Sequence, residues 1–580
     1  MMQRRKQMFK KFENLVLKGI QSPTQRKLIL VGTLVAFILS ILMVAPSKMV
    51  LAKMLPGKDN DTFNIYVSLA NGSSIDQTTQ VTSCVVDIIQ QEKDLINTEV
   101  FLGMGAPLDF AGLIKGSQFK DSENLAEIVL NITPKHHRTE PSFMMVQRLR
   151  PIIQNGCEKL YPNTKISFVE PPAGPPVLAA IVAEIYGEDA DGIRKLATKV
   201  EDVFQHTKGL VDIDIMQDEI YDTFEVIVNS DKISRSGINI KQLNDILYLS
   251  FEGMQIAVKN SNLYNDQVPI YLSLSKKSKQ FSSSDIDAVR AKLASLKLIN
   301  KKGMMIPITE LVNIVPKKSN PLIMSKNLHQ MTNVIAETDM VSQVYPLMDA
   351  RNTILKEFAN DYKIKKIGLF NLQLTELSSG KIYKLIWDGE MEVTLDTFVE
   401  LGAAFIAALV LIFLLMVIYY KSYVLSGIIL LGSFLSIIGV IVGHYIMDQL
   451  TTDTFFLTAT SLIGFIALIG ISSRNSLLLI DFTRSLMQDM GMHKADAISY
   501  ATATRAKPIL LTAAAIILAS TLLAQDAVFG GLGVALIFGT VAAVIASLVI
   551  VPVLLFQSDL ERHFDFEEKK YTSIEEPLPL

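Results

Sequence analysis

The 580 residues of this chain are too many for one ordinary domain, and 49% of them are hydrophobic. The formal net charge at pH 7 is −3, from 55 basic and 58 acidic residues, so the composition gives no indication of nucleic-acid binding. The mean hydropathy of +0.32 comes from apolar residues clustered in long runs, which is typical of a membrane protein.

The N-terminal segment, residues 1–27, is basic and amphipathic, and an apolar run over residues 28–46 follows it directly. A secretory signal peptide also combines a basic start with an apolar core. However, this run is long, and no small-residue cleavage site is evident before Pro46. The segment therefore predicts a retained transmembrane helix with a cytoplasmic N-terminus, because Lys and Arg concentrate on the cytoplasmic side of membranes.

Residues 47–397 contain no run long enough to cross a bilayer, so we expect a large region outside the membrane. Short β-rich strings alternate there with helical stretches, with strands at 62–69 and 124–132 and helices at 75–92 and 141–160. Repeated βαβ units with antiparallel returns predict ferredoxin-like subdomains. An insertion over about residues 222–309 has helices of its own.

The chain has two cysteines, Cys84 and Cys157, and both fall in this region. A compartment outside the cytoplasm would allow them to form a disulfide. Spacing alone cannot pair them, so two unpaired buried thiols are an equally open interpretation.

Residues 398–557 contain five further apolar runs, at 401–420, 423–447, 455–482, 508–524 and 531–556. With the first run they predict six transmembrane helices, which put the N-terminus and the tail at 558–580 on one side of the membrane. The basic connector at 483–507 belongs on that cytoplasmic side too. The sequence therefore predicts an α+β protein of the bacterial inner membrane, with a large periplasmic domain between helices 1 and 2.

Small residues recur at every fourth position along the last run, at Gly531, Ala535, Gly539, Ala543 and Ser547. Such stripes let helix backbones approach closely in lipid. Ala and Gly are also common in membrane helices that have no such role. The five-member register predicts that the last helix packs closely against a neighbour.

Two neighbouring helices carry polar residues at the same spacing. Arg474 and Asp481 are two helical turns apart, so they lie on one face of their helix. Arg505 and Thr512 repeat this spacing on the next helix. A guanidinium inside a bilayer costs about 3 kcal/mol on insertion scales, so Arg474 should face protein or water.

The stretch 464–482, which contains Arg474-Asn475-Ser476, resembles the signature helix of resistance-nodulation-division (RND) efflux permeases. Residues 505–512 and 551–555 resemble two further membrane motifs of this family, and residues 184–187 resemble its periplasmic part more weakly. The resemblance covers essentially the whole chain but only the C-terminal half of a full permease. It implies a transporter, not an enzyme, that exports small molecules or drugs by proton antiport without a cofactor.

The resemblance implies a proton relay that includes Arg474, Asn475, Arg505 and Thr512. Arg474 stands where most drug-exporting members have Lys, and some branches share the Arg. In full permeases these cations face two adjacent Asp residues on a helix of the other half, and the predicted spans of this chain contain no such pair. Because Arg does not release its proton in a protein, the proton carrier is expected on a partner, an N-terminal RND half-permease.

The family also implies partners and a mobile loop. Complete permeases would form trimers and work with a periplasmic adaptor protein and an outer-membrane channel, which the 222–309 insertion would face. A loop with Gly103, Gly105 and Phe110 lies where the family has a switch loop. An ordinary surface turn would have the same composition.

Several of these residues have simpler explanations. Arg505 could anchor at the cytoplasmic interface, and the Thr512 hydroxyl could bond its own helix backbone. Asp481 is expected at the cytoplasmic interface, outside the relay. His444 lies near the outer end of its helix and is expected to be solvated, although it could titrate. The methionines form no cluster with Cys or His in the sequence, so metal export is not indicated.

Two other functions stay open at this point. The chain could be an RND-type motor that moves lipid or protein, or a scaffold that binds partners without transport. Reconstitution with the partner half separates them from the exporter, since only the exporter gives drug flux.

Overall fold

The computed structural model describes residues 2–560 except 58, 172–173, 175–176, 266, 282–284, 340, 452–454 and 527. Within these residues, six helical segments are long and apolar enough to cross a membrane, and mixed helices and strands form the rest. The mixed architecture with six apolar helical segments is thus confirmed. Most of the predicted tail at 558–580 lies outside the described residues.

Two helices open the chain, α1 (Met2–Gln21) and α2 (Pro23–Val44). α1 is amphipathic and buries Val16 and Ile20. α2 begins at Pro23, ahead of the apolar run predicted to start at residue 28. Proline suits this first turn, because its missing N–H group would have no helical partner there.

The first layer outside the apolar helices is a four-stranded antiparallel sheet. Its elements are β1 (Thr62–Ser68), α3 (Ile75–Ile89), β2 (Leu95–Leu102), α4 (Phe110–Lys115), β3 (Leu125–Ile132), α5 (Ser142–Cys157) and β4 (Lys165–Val169). The strands lie in the order β2-β3-β1-β4. A capping box between Ser74 and Gln77 starts α3, and Phe63 and Ile65 of β1 are fully buried beneath the helices.

Helices α3 and α5 are joined by a disulfide between Cys84 and Cys157, whose Cα atoms are 5.8 Å apart. The structure thus decides the pairing that sequence spacing left open. Strand β2 was not predicted from the sequence. It lies at the edge of the sheet, where half-exposed positions hold mixed polar and apolar residues and give no clear alternation.

The next elements are β5 (Ile181–Tyr186), α6 (Ala190–Gln205) and β6 (Leu210–Ile215). A compact unit, Gln217–Ile323, follows them in the chain and contains the insertion predicted at about 222–309. This unit has its own core around Leu243, Ile308 and Leu311. Its elements are β7 (Asp222–Val228), α7 (Ser230–Ser236), α8 (Ile240–Phe251), β8 (Met254–Lys259), β9 (Val268–Leu272), α9 (Lys276–Lys279), α10 (Ile286–Ser295), β10 (Lys297–Ile299), β11 (Met305–Pro307) and β12 (Val312–Lys318).

A seven-stranded antiparallel sheet combines strands from before and after the inserted unit. The later elements are β13 (Met324–Lys326), β14 (His329–Thr338), α11 (Val344–Glu357), β15 (Tyr362–Ile367), β16 (Asn371–Glu376) and β17 (Ile382–Asp388). The strand order is β13-β14-β5-β17-β16-β15, and β6 also pairs with β14. α6 and α11 pack on this sheet, with Leu196, Phe204 and Leu347 in its core.

The C-terminal apolar region consists of α12 (Glu390–Tyr420), α13 (Tyr423–Phe434), α14 (Ser436–Leu450), α15 (Ala459–Gln488), α16 (Lys494–Leu523), α17 (Gly530–Ile545) and α18 (Val551–Gln557). α13 and α14 form one span that is interrupted at Leu435, and a π-helical turn joins α17 to α18 within another. Together with α2 they are the six candidate spans.

The connector predicted at 483–507 is shorter than expected. α15 continues to Gln488 and α16 begins at Lys494, so Arg505 lies inside a helix. The apolar face formed by Ala497, Ile498 and Ala501 is fully buried in the cluster that also contains Val16 of α1. This burial stabilises the helix ahead of Pro508, where proline removes one backbone hydrogen bond.

The predicted close packing of the last span is confirmed. All five members of the small-residue stripe are buried. A Cβ atom added at Gly539 of α17 would lie 2.2 Å from Leu468 Cδ1 of α15. A Cβ atom at Gly439 of α14 would lie 2.3 Å from the Phe538 carbonyl oxygen of α17. α17 therefore approaches both neighbours at distances that only glycine permits.

We expect Gly439→Ala to destabilise the helix bundle, because the new methyl group meets a backbone carbonyl that cannot turn away. Overpacking of this kind costs about 1–3 kcal/mol. Gly470→Ala is the matched control, since nothing lies within 4 Å of a Cβ atom there. Thermal unfolding of the purified proteins in detergent should show a lower midpoint for Gly439→Ala alone. Equal midpoints for the two variants would contradict the close α14–α17 contact.

Candidate functional site

Arg474 lies near the middle of α15, about 22 Å along the helix axis from Ala459 at 1.5 Å per residue. Its side chain is exposed, as is that of Leu478 one turn further on, whereas the adjoining Asn475 and Ser476 are buried. The ion pairs found in the described part of the chain do not include Arg474. The helix therefore presents this cation on a surface that the chain itself leaves uncovered.

Asp481 shares a helix with Arg474 but has other partners. Its carboxylate accepts a hydrogen bond from the Tyr420 hydroxyl at 2.8 Å and a weaker one from the Tyr419 hydroxyl at 3.4 Å. Both tyrosines lie at the C-terminal end of α12. Asp481 therefore fastens the end of α12 to α15.

The contact between Arg505 and Phe482 sets the relative depth of α15 and α16. The guanidinium carbon of the half-buried Arg505 lies 5.1 Å from the centre of the Phe482 ring. The two helices are antiparallel, and a short connector joins them. Arg474 is about 12 Å along α15 from Phe482, and Thr512 is about 10 Å along α16 from Arg505. Arg474 and Thr512 therefore lie at nearly the same depth.

Thr512 is exposed, and its hydroxyl donates to the carbonyl oxygens of Pro508 at 3.1 Å and Ile509 at 2.9 Å. The structure thus shows the intrahelical bond that was the simpler explanation for this residue. A threonine hydroxyl in this position can turn towards another acceptor on the same exposed side.

The prediction that His444 is solvated is wrong. Its imidazole is fully buried on α14, with Nδ1 2.8 Å from the Val440 carbonyl oxygen and Nε2 2.8 Å from Ser461 Oγ of α15. A position near the end of an apolar run suggested exposure, but Ser461 of α15 and the Phe455 ring pack against the imidazole. Only the tertiary structure could show this.

The loop that contains Gly103 and Gly105 is held against the first sheet. Gly103 has a φ of +70°, which favours glycine. A Cβ atom at Gly105 would lie 2.1 Å from the Ser117 carbonyl oxygen, so the loop passes close to its own return path. Phe110 begins α4, and its side chain lies outside the described residues.

Glu127 of β3 fastens this loop. Its buried carboxylate accepts hydrogen bonds from the Ala106 N–H at 3.1 Å and from the Ser117 hydroxyl, and it pairs with Lys120 at 3.4 Å. Burial lowers the pKa of Lys120 to about 8, although the Glu127 carboxylate opposes this shift. The sequence identified the loop but gave no sign of the buried carboxylate that holds it.

A cavity of about 370 Å³ lies where the outer sheets meet the ends of the apolar helices. We call it the junction cavity. Thr458 and Gly531 line its helical side. Apolar residues such as Phe143 and Phe456 line it too, together with six charged residues, namely Lys53, Asp59, Arg150, Glu170, Asp339 and Asp526. These residues come from distant segments that carry no common motif, so the sequence gives no sign of this cavity.

Glu170 is a charged group of the junction cavity with an unpaired hydrogen-bond acceptor. Its Oε1 atom is buried and has no hydrogen-bond partner among the described residues. Burial raises the pKa of Glu170 to about 7, against the attraction of Arg150. Arg150 itself pairs with Asp212 at 3.1 Å and Asp339 at 3.5 Å. The cavity therefore holds a carboxyl group that titrates near neutral pH.

The paired helices α15 and α16 carry the motifs that the sequence singled out, and a comparison with known families agrees with them. The model of the AcrB/AcrD/AcrF family matches residues 1–557. The chain belongs to this family of RND permeases.

The relatives of this RND chain are considerably longer than it is. SwrC of Bacillus subtilis (strain 168), a swarming motility protein, is 22% identical over 378 residues, which are 64% of this chain and 32% of SwrC. The multidrug resistance protein MdtC of Photorhabdus laumondii is 24% identical over 443 residues, 75% of this chain and 39% of MdtC. The fold resembles the crystal structure of a heavy metal efflux pump, with a TM-score of 0.68 at 19% identity. That match covers 93% of this chain and 51% of the pump.

We expect Glu170→Gln to stabilise the protein in a pH-dependent way. The folded-state pKa of Glu170 lies above its unfolded value, so the wild type loses stability as the pH rises from about 4.5 to about 7. The neutral amide avoids this loss. The variant should therefore be more stable than the wild type at pH 8, by up to about 3 kcal/mol, and the difference should vanish towards pH 4.5.

Thermal unfolding of the purified proteins at both pH values measures this difference. Glu99→Gln on the exposed edge strand β2 is the control and should show no such pH dependence. A stability difference for Glu170→Gln that is the same at pH 4.5 and pH 8 would contradict a titrating buried carboxyl group.

Proposed function

We propose that this chain is the C-terminal half of a proton-driven RND efflux transporter that exports small molecules or drugs. The exposed position of Arg474 at mid-length of a membrane-type helix carries this proposal. A guanidinium facing lipid hydrocarbon is costly, so water or another protein surface must cover it. Arg474 is in no ion pair within the described part of this chain. We therefore assign the covering surface to a second polypeptide, the N-terminal half-permease.

The partner surface would supply a carboxylate opposite Arg474, in the place of the family's Asp pair. When that carboxylate is ionised, the ion pair holds the two halves together, and protonation releases it so that the helices shift. Arg505 and Thr512 would complete the polar surface from α16, with Thr512 at the depth of Arg474. Asn475, buried beside Arg474, would hold α15 in register.

The region outside the membrane would handle the substrate in the periplasm. The β-α-β-β-α-β order of the first sheet, with strand order β2-β3-β1-β4, supports a ferredoxin-like subdomain. The Cys84–Cys157 disulfide supports an oxidising compartment. The loop at Gly103, fastened by Glu127, would be the switch loop. The unit Gln217–Ile323 would dock an outer-membrane channel, and complete permeases would form trimers with a periplasmic adaptor.

In this proposal, both termini of the inner-membrane protein lie in the cytoplasm. The native cysteines are joined to each other, so a single introduced cysteine is the free thiol that a reagent can label. In intact cells with a permeable outer membrane, an impermeant maleimide should label a cysteine at Asn262 and should leave one at Glu567 unlabelled. Labelling only at Glu567 would contradict this topology.

The relay role of Arg474 is tested in cells that carry the second half. Arg474→Ala should abolish drug efflux at matched membrane levels, because the partner carboxylate loses its counter-charge. Arg474→Lys should retain partial efflux, since a cation stays at nearly the same place with different geometry. Leu478→Ala changes the same exposed face without removing a charge, and it should leave efflux near the wild-type rate.

Co-purification with the partner half shows that each variant folds and assembles. Full efflux by Arg474→Ala would exclude the relay role. Efflux by the wild-type chain in cells without a second half would overturn the proposal that this chain needs a partner to work. Assembly with the partner without any proton-coupled flux would favour a scaffold.

A further inference from the structure

A chain of hydrogen bonds leads from the junction cavity to His444. Thr458, on the cavity wall, has its Oγ1 atom 3.1 Å from Ser461 Oγ. Ser461 Oγ in turn lies 2.8 Å from His444 Nε2. Thr458 is only 2% exposed, and Ser461 and His444 are fully buried. Two hydroxyl groups therefore separate the imidazole from the cavity.

The partners of this chain satisfy both protonation states of the imidazole. A carbonyl oxygen only accepts, so Nδ1 carries a proton and donates it to Val440 O. In the neutral ring, Nε2 accepts from the Ser461 hydroxyl. In the imidazolium, Nε2–H donates to Ser461 Oγ, and the Ser461 hydroxyl turns to donate to Thr458 Oγ1. The Thr458 hydroxyl then donates to Thr460 Oγ1 at 2.8 Å.

A glycine keeps the two hydroxyl groups in contact. A Cβ atom at Gly531 of α17 would lie 2.3 Å from Thr458 Oγ1 and 2.4 Å from Ser461 Oγ. Any side chain at this position would push the hydroxyl groups apart or displace α17. The chain of hydroxyls is therefore built jointly by α14, α15 and α17.

The charged groups near this chain lie at its outer end. The Phe455 ring packs on the imidazole with ring centres 5.6 Å apart, and Asp448 of α14 accepts the Phe455 N–H at 2.9 Å. Asp526 accepts the N–H groups of the turn before α17. Glu170, Arg150 and Lys53 also line the junction cavity. The direct partners of His444 among the described residues are neutral.

We propose that His444 is a second proton-binding site of this half, loaded from the junction cavity through Thr458 and Ser461. This site is separate from the Arg474 surface, and it rests on the proposed proton-driven function. A hydronium ion in the cavity gives a proton to Thr458 Oγ1, Thr458 passes its own hydroxyl proton to Ser461 Oγ, and Ser461 passes its own to His444 Nε2. One proton moves, water is left in the cavity, and both hydroxyl groups stay neutral with their O–H bonds reversed.

Loading creates a charge beside a close helix–helix contact of the bundle. The imidazolium lies on α14, whose Gly439 and Gly443 pack directly against Phe538 of α17. A charge that appears in such a low-dielectric place changes the electrostatic energy of the packed helices strongly. Protonation of His444 would therefore favour a different α14–α17 arrangement, which is how binding a proton here would drive a conformational step.

The first test measures proton-coupled drug transport by the full chain with its partner half in proteoliposomes, between pH 5 and pH 8 on the cavity side. His444→Gln keeps an amide that can bond Ser461 but cannot take up a proton. Ser461→Ala breaks the hydroxyl chain. Each should lower transport about tenfold or more and flatten its pH dependence. Thr540→Val removes a buried hydroxyl of α17 outside the chain and should stay within about twofold of the wild type.

A wild-type rate and pH profile in His444→Gln would overturn the proposal and leave His444 a structural residue. Arg474→Ala, measured alongside, separates the hypothesis of proton-driven transport from the hypothesis of a second proton site. If Arg474→Ala abolishes transport while His444→Gln does not, the proposed function stands and only the second site fails.

The second test needs no transport. Thr458→Cys should react with a small anionic methanethiosulfonate added from outside, because Thr458 lines the cavity. Leu468→Cys, fully buried on the same helix, should not react. No reaction at Thr458→Cys, under conditions that label a cysteine at Asn262, would show that this position is not open to the outside. That outcome would overturn the loading path even if the complete transporter proved inactive.

Discussion

A guanidinium cannot rest against lipid hydrocarbon, and the membrane half of this chain depends on that constraint. Arg474 lies at mid-length on a helix whose adjoining polar residues, Asn475 and Ser476, are buried by neighbouring helices. The chain covers the neutral groups and leaves the charged one outside. Such a surface is stable only against water or a complementary protein, so one of these two must cover Arg474.

The helices that support this surface are held by contacts that leave little freedom. α17 lies against α14 and α15 with glycine at each closest approach, which brings backbone atoms into van der Waals contact. Hydroxyl groups are buried at the same contacts, and that of Ser461 bonds across helices to His444. Close packing and polar contacts therefore occur in the same places, and a change in charge there acts on helix positions directly.

Outside the apolar helices, two buried carboxylates lie where segments distant in the sequence meet. Glu127 ties the glycine-bearing loop to the first sheet, and Glu170 lies in the junction cavity beside Arg150. Both carboxylates are within reach of cations, yet burial is the largest influence on the pKa of Glu170 and of Lys120. Burial of these groups therefore shifts proton binding both at the glycine-bearing loop and in the junction cavity.

The sequence by itself determined the six apolar helices, the alternation of strands and helices, the small-residue stripe of α17 and the membership of Arg474 in a family motif. These features are local, since each depends on periodicity or composition within one segment. Only the tertiary structure decided that Cys84 pairs with Cys157, that α16 begins at Lys494, that His444 is buried and that Glu170 faces a cavity. Each of these depends on residues from distant segments meeting in space, and no pattern within one segment encodes such a meeting.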